Sequence, residues 1–349
     1  MNVSVIIPVF NAVRFLEAAV KSALAVQEVA EVVLVDDGSS DGSQILCDDL
    51  AKNDARISCY RHLNGLNKGV SASRNLGIEL AKHEYIAFLD ADDLFVPDRF
   101  AMDRKLFQEH PDADGVYGAI GVHYYDDQGR EMFGKVFSSE LTTVRVAVPP
   151  ERLFEVFMGV GAPIHDFGNF SLDGFTVKKS ALDKMPLLLR EGMAMHEDSE
   201  FIVRMSYYLR LYAGSIDRAV ALRGVHGDNR ITANARSARR RWQYNKFLLK
   251  WAEREGVDQR VIKSLKAQVI FGAVKSASTK AEKRSATKQL LTSPSQWKKV
   301  DTIHAWFDLM FGAGSRISYL LKRISYLLYA ILWKLKGISP PIPTPTRIA

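Results

Sequence analysis

Two clusters of acidic residues sit where a chain rarely places them. "YIAFLDADD" (85–93) sets Asp90, Asp92 and Asp93 at the end of a run that reads as a buried strand. "VVLVDDGSSDGS" sets Asp36 and Asp37 after a second such run, before a Gly/Ser turn. Crowded carboxylates repel, so they stay together where a positive charge neutralises them. Mg²⁺ or Mn²⁺ does this through oxygen ligands, commonly one or two carboxylates with substrate phosphates completing the shell. In an open α/β sheet, ligands bind beyond the carboxyl ends of the strands. Asp90 and Asp92 fall at such an end, which implies a metal bridging protein to a phosphorylated ligand. A carboxylate at the Asp36–Asp37 edge can also accept a hydrogen bond from a nucleobase N–H. "NKGVSASRNLGIELA" (67–81) adds Gly69, where the backbone can approach closely, and a helix start that favours anions. Its Arg74 can clamp a phosphate or stack on a base. Taken singly, each feature has an ordinary account as a turn, a cap or a solvated helix face.

The elements that must position these residues alternate. "VSVIIPVF", "EVVLVDD", "RISCYRH" and "YIAFLD" read as short β-branched strands. Helical stretches over 13–26, 44–52 and 69–82 separate them, which predicts βαβ units and a mainly parallel sheet. A further helix is expected over 97–110, with Pro97 near its start. From 114 to 148 the texture suggests antiparallel strands at a sheet edge, joined by a turn at Asp127-Gln128-Gly129. Helices are expected over 151–158 and in "HEDSEFIVRMSYYLR", followed by an extended return in "LYAGSIDRAVALRGVH". Beyond 232 the period is helical, with three helices expected over 236–255, 258–278 and 280–291. The tail after 337 is Pro-rich and expected to be extended or disordered.

The ordered set "VSVIIPVFN", "VVLVDDGSSDGS", "NKGVSASRN", "YIAFLDADD" and "MHEDSEF" resembles the family 2 nucleotide-sugar glycosyltransferases of GT-A fold. The resemblance covers roughly residues 1–232. It implies an α/β, Rossmann-like domain with an antiparallel edge, and inverting transfer from a nucleotide-diphospho-sugar. It implies that Pro8 and Phe10 border the nucleotide pocket and that Asp36 or Asp37 contacts the base, typically uracil. The doublet leaves that choice open, with Asp36 favoured and Asp37 as its support. By the same likeness Arg74 lies near base or phosphates, Asp90 near the ribose, Asp92 on Mn²⁺ or Mg²⁺, and Asp198 is the general base. "RGVHGDNRIT" (223–232) falls where the family often has a flexible loop. There His226 is a further candidate for metal or diphosphate and Arg230 for phosphate. The Gln-x-x-Arg-Trp signature of the family's processive synthases is missing, which favours one sugar per event.

Composition bounds the rest. The chain has 349 residues and a net charge of +7. Residues 1–203 carry 19 basic against 32 acidic residues, and residues 204–349 carry 28 against 8. A basic half suits polyanions. "RISYLLKRISYLLYAILWKLKG" (316–337) reads as an amphipathic basic helix; Lys322 and Arg323 interrupt its apolar run, so an in-plane anchor on an anionic membrane is expected rather than a span. A helix packed on protein is the alternative. Nucleic acid is not expected, because no zinc-finger, RNP-like or helix-turn-helix signature occurs. Cys47 and Cys59 have no zinc-ligand spacing and read as reduced core thiols. Met1 leads straight into a core-like strand, with no secretory signal pattern. The expected organisation is a GT-A domain over 1–232, a helical region over 233–311, an amphipathic membrane anchor over 312–337 and a tail over 338–349. The resemblance to the family implies an acceptor that is a glycan or lipid-linked glycan at the cytoplasmic face of a bacterial membrane, in surface polysaccharide synthesis. Two other functions compete: a sugar nucleotidyltransferase, which should carry a Gly-rich basic loop after its first strand, and a non-catalytic adaptor. "PVFNAVRFLE" has no such loop, and intact acids at 90, 92 and 198 disfavour the adaptor.

Overall fold

The computed structural model describes residues 1–136, 139–162, 164, 167–193, 195–227, 238–277, 279, 282 and 285. The chain divides into two compact units between residues 235 and 236. The first is α/β. Its main sheet has seven strands: β1 (Val3–Val9), β2 (Val29–Asp36), β3 (Ile57–Arg61), β4 (Tyr85–Phe88), β6 (Gly115–Tyr117), β8 (Phe175–Lys178) and β9 (Leu211–Ala213). Their order is β3-β2-β1-β4-β8-β6-β9. β3, β2, β1 and β4 run parallel, while β8 runs antiparallel to β4 and β6. A second sheet of three strands orders β5 (Leu94–Phe95), β10 (Ala219–Val225) and β7 (Ala119–Tyr124) with β10 in the middle.

β1 is buried along its whole length because helices cover both faces of the sheet, the setting in which parallel strands read as unbroken apolar runs. Val5, Ile7 and Val9 of β1 point with Leu34 of β2 into the core under α1 (Leu16–Leu24) and α2 (Ser43–Asn53). Ile6, Val33 and Val35 face the other way, toward Ile78 of α3 (Val70–Leu80) and Phe201, Ile202 and Met205 of α7 (Glu197–Tyr208). Pro8 lacks an N–H, yet sits in this central strand. It is tolerated because the β4 ladder ends at Ile6, leaving only β2 alongside. That early exit of β4 releases the chain into the acidic loop at 90–93.

Three expectations need correction. The stretch 127–136 is not a strand but helix α5 (Asp127–Val136). Its first turn is fixed by the Asp126 carboxylate, which accepts from Gly129 N–H at 2.6 Å. Helix α4 (Ala101–Glu109) begins at Ala101, not Pro97; the preceding residues turn, with buried Arg99 paired to Asp103 at 2.9 Å. The 114–148 strands do not share one edge: β6 joins the main sheet, whereas β7 runs parallel to β10 in the second. Helix α6 (Pro150–Met158) falls where expected.

In the second unit, α8 (Ala238–Arg254) packs with α9 (Gln259–Ser276). Leu248, Trp251, Val261 and Leu265 are buried there. The third expected helix lies almost wholly outside the described residues, as do Arg230, the segment 312–337 and the tail. Among the described residues no helix is long and apolar enough to cross a membrane.

Candidate active site

One cleft of about 550 Å³ opens beyond the carboxyl ends of β1 and β4. The end of β1 gives it Pro8 and the half-exposed ring of Phe10, and the β2 end gives Asp37. Both Asp37 oxygens are spoken for: Oδ1 accepts from Lys68 N–H at 2.7 Å, and Oδ2 from Gly69 N–H at 2.9 Å. His62 stands behind it, with Nε2 3.5 Å from Asp37 Oδ1 and 3.0 Å from Ser73 Oγ. Gly38 makes this corner possible. Its φ is +76°, and a Cβ there would lie 2.7 Å from the Gly65 carbonyl oxygen. Asp36, favoured from sequence for the base contact, does not line the cleft. It is fully buried, its Oδ1 accepts from Ser39 N–H at 3.3 Å, and its Oδ2 lies 3.9 Å from Arg61 Nε. The reason is strand alternation: successive side chains face opposite ways.

The acidic loop supplies the floor. Asp90 holds the Arg74 guanidinium at 2.6 Å. Burial works against the Arg74 charge, but Asp90, Glu197 and Asp198 outweigh it and hold its pKa above the usual value. Arg74 Nε and Nη1 are buried without a hydrogen bond. Asp92 faces the cleft with a side chain 31% exposed, and His226 Nε2 is 3.3 Å from its Oδ2. The His226 ring is locked by stacking on Phe15, with centroids 4.4 Å apart. Asp93 accepts from Gly224 N–H at 2.8 Å. Burial, then repulsion from Asp173, Asp92 and Asp90, pushes its carboxyl well above the ordinary range.

Asp173, in the turn before β8, was not among the residues singled out from sequence. Its Oδ1 accepts from Asp90 N–H at 3.0 Å, and its Oδ2 from the Ser171 hydroxyl at 2.6 Å. Burial and the Asp90 charge raise its pKa. Nothing in an isolated "LDG" signals this; only the pairing of β8 with β4 brings it beneath the acidic loop. Asp90, Asp93 and Asp173 each offer an oxygen within 4.8 Å of the others. Asp93 and Asp173 are buried and already hydrogen-bonded, which leaves Asp92 of the loop and His226, just after β10, as the cleft-facing groups that could hold a cation. A carboxylate beside an imidazole nitrogen fits Mn²⁺ or Mg²⁺ completed by ligand oxygens.

Asp198 reaches the same cleft from the start of α7. Its Oδ1 accepts from Ser199 N–H at 2.6 Å and from the Ser199 hydroxyl at 3.3 Å. The helix start is pinned from behind. Fully buried Glu200 accepts twice from Arg204, at 2.9 and 2.7 Å, while Arg204 also donates to the Leu187 and Leu188 carbonyls. Asn75 of α3 clamps both backbone groups of Leu189, at 2.9 and 3.0 Å. Pro8, Phe10, Asp37, Asp90, Asp92, Asp198 and His226 thus share one cleft, with Arg74 behind its floor.

Fold and site define an α/β protein of GT-A architecture with an acidic cleft beyond the carboxyl ends of its parallel strands. Residues 4–155 match the model of glycosyl transferase family 2. Glycosyltransferase GlyG of Streptococcus pneumoniae is 34% identical over 151 residues, covering 42% of this chain and 47% of that protein. The uncharacterized glycosyltransferase RC0461 of Rickettsia conorii is 33% identical over 157 residues, covering 42% and 25%. The minor teichoic acid biosynthesis protein GgaB of Bacillus subtilis is 36% identical over 140 residues, covering 39% and 15%. The chain therefore spans less than half the length of these relatives. Among solved structures, S. aureus TarS 1–349 in complex with UDP-GlcNAc aligns with a TM-score of 0.58 at 14% identity. The alignment covers 99% of this chain and 95% of that one, a likeness of fold.

Proposed function

We propose that this chain is an inverting, metal-dependent glycosyltransferase. It moves a sugar from a nucleotide-diphospho-sugar, with UDP as the nucleotide, to a hydroxyl of a glycan or lipid-linked acceptor. The observation that carries this is the convergence of Asp37, Asp90, Asp92 and Asp198, from three separate stretches of chain, on one cleft. The match of residues 4–155 to the glycosyl transferase family 2 model supports the reaction class.

In this reading Pro8, Phe10 and Asp37 border the base, Asp90 stands toward the ribose with Arg74 behind it, and Asp92 with His226 would hold the cation. Asp198 takes the proton of the acceptor hydroxyl as that oxygen bonds to the anomeric carbon. The bond from this carbon to the diphosphate oxygen breaks, its electron pair leaves with the nucleoside diphosphate, and the configuration inverts. A bound divalent cation supplies stabilisation of the charge on that leaving diphosphate. The likeness to GgaB favours an acceptor in surface polysaccharide synthesis. The basic stretch 312–337, read from sequence alone, suits an anionic membrane surface on the cytoplasmic side.

A donor panel with Mn²⁺ tests the reading. Release of a nucleoside diphosphate from at least one nucleotide-sugar is expected. Pyrophosphate instead would mean nucleotidyl transfer, and neither binding nor turnover of any donor would leave a non-catalytic protein.

A further inference from the structure

Six carboxylates line the cleft: Asp37, Asp90, Asp92, Asp93, Asp173 and Asp198. Against them, one described lining residue carries a permanent positive charge, Arg223 on β10. Its backbone is fixed on both sides. Arg223 pairs with Val122 of β7. Toward β5, Ala221 stands opposite Phe95 and Leu222 opposite Leu94, so the residues that follow run alongside the acidic loop. The contact there is close: Gly224 N–H bonds to Asp93, and a Cβ on Gly224 would lie 1.8 Å from the Asp92 carbonyl oxygen. A paired strand, not a loop, therefore delivers the guanidinium, which makes its position well defined.

Arg223 is half-buried. It acts on Asp93 through charge, yet no hydrogen bond or close ion pair to a described residue claims its donors. A rigid fork of N–H donors beside acids that do not claim it matches one ligand chemistry, a phosphate gripped by two parallel hydrogen bonds. A diphosphate entering this cleft meets repulsion from the carboxylates, and a single divalent cation offsets only part of it.

We propose that Arg223 binds a phosphate of the donor's diphosphate and is a hold on the leaving group independent of the metal. The inference rests on the nucleotide-sugar reading above. A phosphate-bearing acceptor would present the same chemistry, and binding of UDP without acceptor separates the two sources.

Calorimetric titration of the full chain with UDP and with uridine, in Mn²⁺ and in EDTA, tests this. Failure of the unaltered protein to bind UDP would sink the nucleotide-sugar reading itself. Given that binding, Arg223→Gln is expected to lose about 10- to 100-fold in UDP affinity in both metal conditions. Uridine affinity should stay within about 2-fold, because the lost bond is to phosphate. Arg223→Lys, which keeps the charge but not the fork, should fall between. Loss of uridine affinity as well would make Arg223 a scaffold residue and overturn the proposal. Unchanged UDP affinity would overturn it too, and a rise confined to KM for a phosphate-bearing acceptor would reassign the guanidinium to that substrate.

Discussion

In the proposed reaction, position divides work between two chemically identical side chains of one cleft, Asp198 and Asp92. Asp198 sits at the first turn of α7, where Ser199 steadies one oxygen. Asparagine there keeps size and hydrogen bonding but cannot accept a proton. Asp198→Asn should lower kcat by about 10²- to 10⁴-fold, while UDP affinity measured by calorimetry stays within a few-fold. Asp92 instead faces His226 across 3.3 Å, and in the proposed reaction it serves the leaving group rather than the proton. Asp92→Ala should abolish the gain in UDP affinity that Mn²⁺ gives, with affinity in EDTA little changed; a Mn²⁺ effect of the original size in this variant would remove Asp92 from the cation. Asp37 and Asp36 differ by a single position, yet one lines the cleft and the other is buried at the end of β2 near Ser39 and Arg61. That distinction follows from pleat geometry rather than residue type.

At the scale of elements, two joints carry the site. β10 lies so close to the acidic loop that Gly224 admits no side chain. Gly224→Ala should cost about 1–3 kcal/mol of stability through overpacking and should also remove the Mn²⁺ dependence of UDP binding, read from urea unfolding and calorimetry on the same sample. The second joint is the Glu200–Arg204 pair beneath α7, both side chains about 1% exposed or less. Arg204→Leu strands a buried carboxylate, with Arg190 at 3.2 Å the one cation left to it among the described residues. Unfolding free energy should fall by about 3–5 kcal/mol, the range for a broken buried pair. The strands β1 to β4 and helices α1 to α3 were legible because a two-sided parallel sheet writes itself as unbroken β-branched runs between helical periods. The α5 stretch was not, since "DDQGREMF" reads equally as a turn between strands until Asp126 caps it. Neither was the second sheet: a seven-residue β10 shows no trace in its own sequence of which partners it will choose.

Over the whole molecule, charge is divided between an acidic first part and a basic remainder of 28 Lys and Arg against 8 Asp and Glu over 204–349. Charges of this kind interact with an anionic surface over a Debye length of about 8–10 Å in ordinary salt. The full chain should float with phosphatidylserine-containing vesicles at low salt. Removal of residues 312–349 should leave most of it unbound, and equal flotation of both forms would place the attachment elsewhere. The sequence by itself determined the alternation of strands and helices, the acids that end two strands, and the family that those motifs resemble. These are local properties: periodicity, β-branching and turn chemistry act over a few residues. Tertiary structure alone decided that Asp37, not Asp36, opens on the cleft, that Asp173 supports the Asp90 backbone, and that Arg223 stands beside the acids. Each of those depends on pairing between segments up to 131 positions apart, as in the bond from Gly224 to Asp93, and such pairing is set by the packing of the folded sheet rather than by any neighbouring residue.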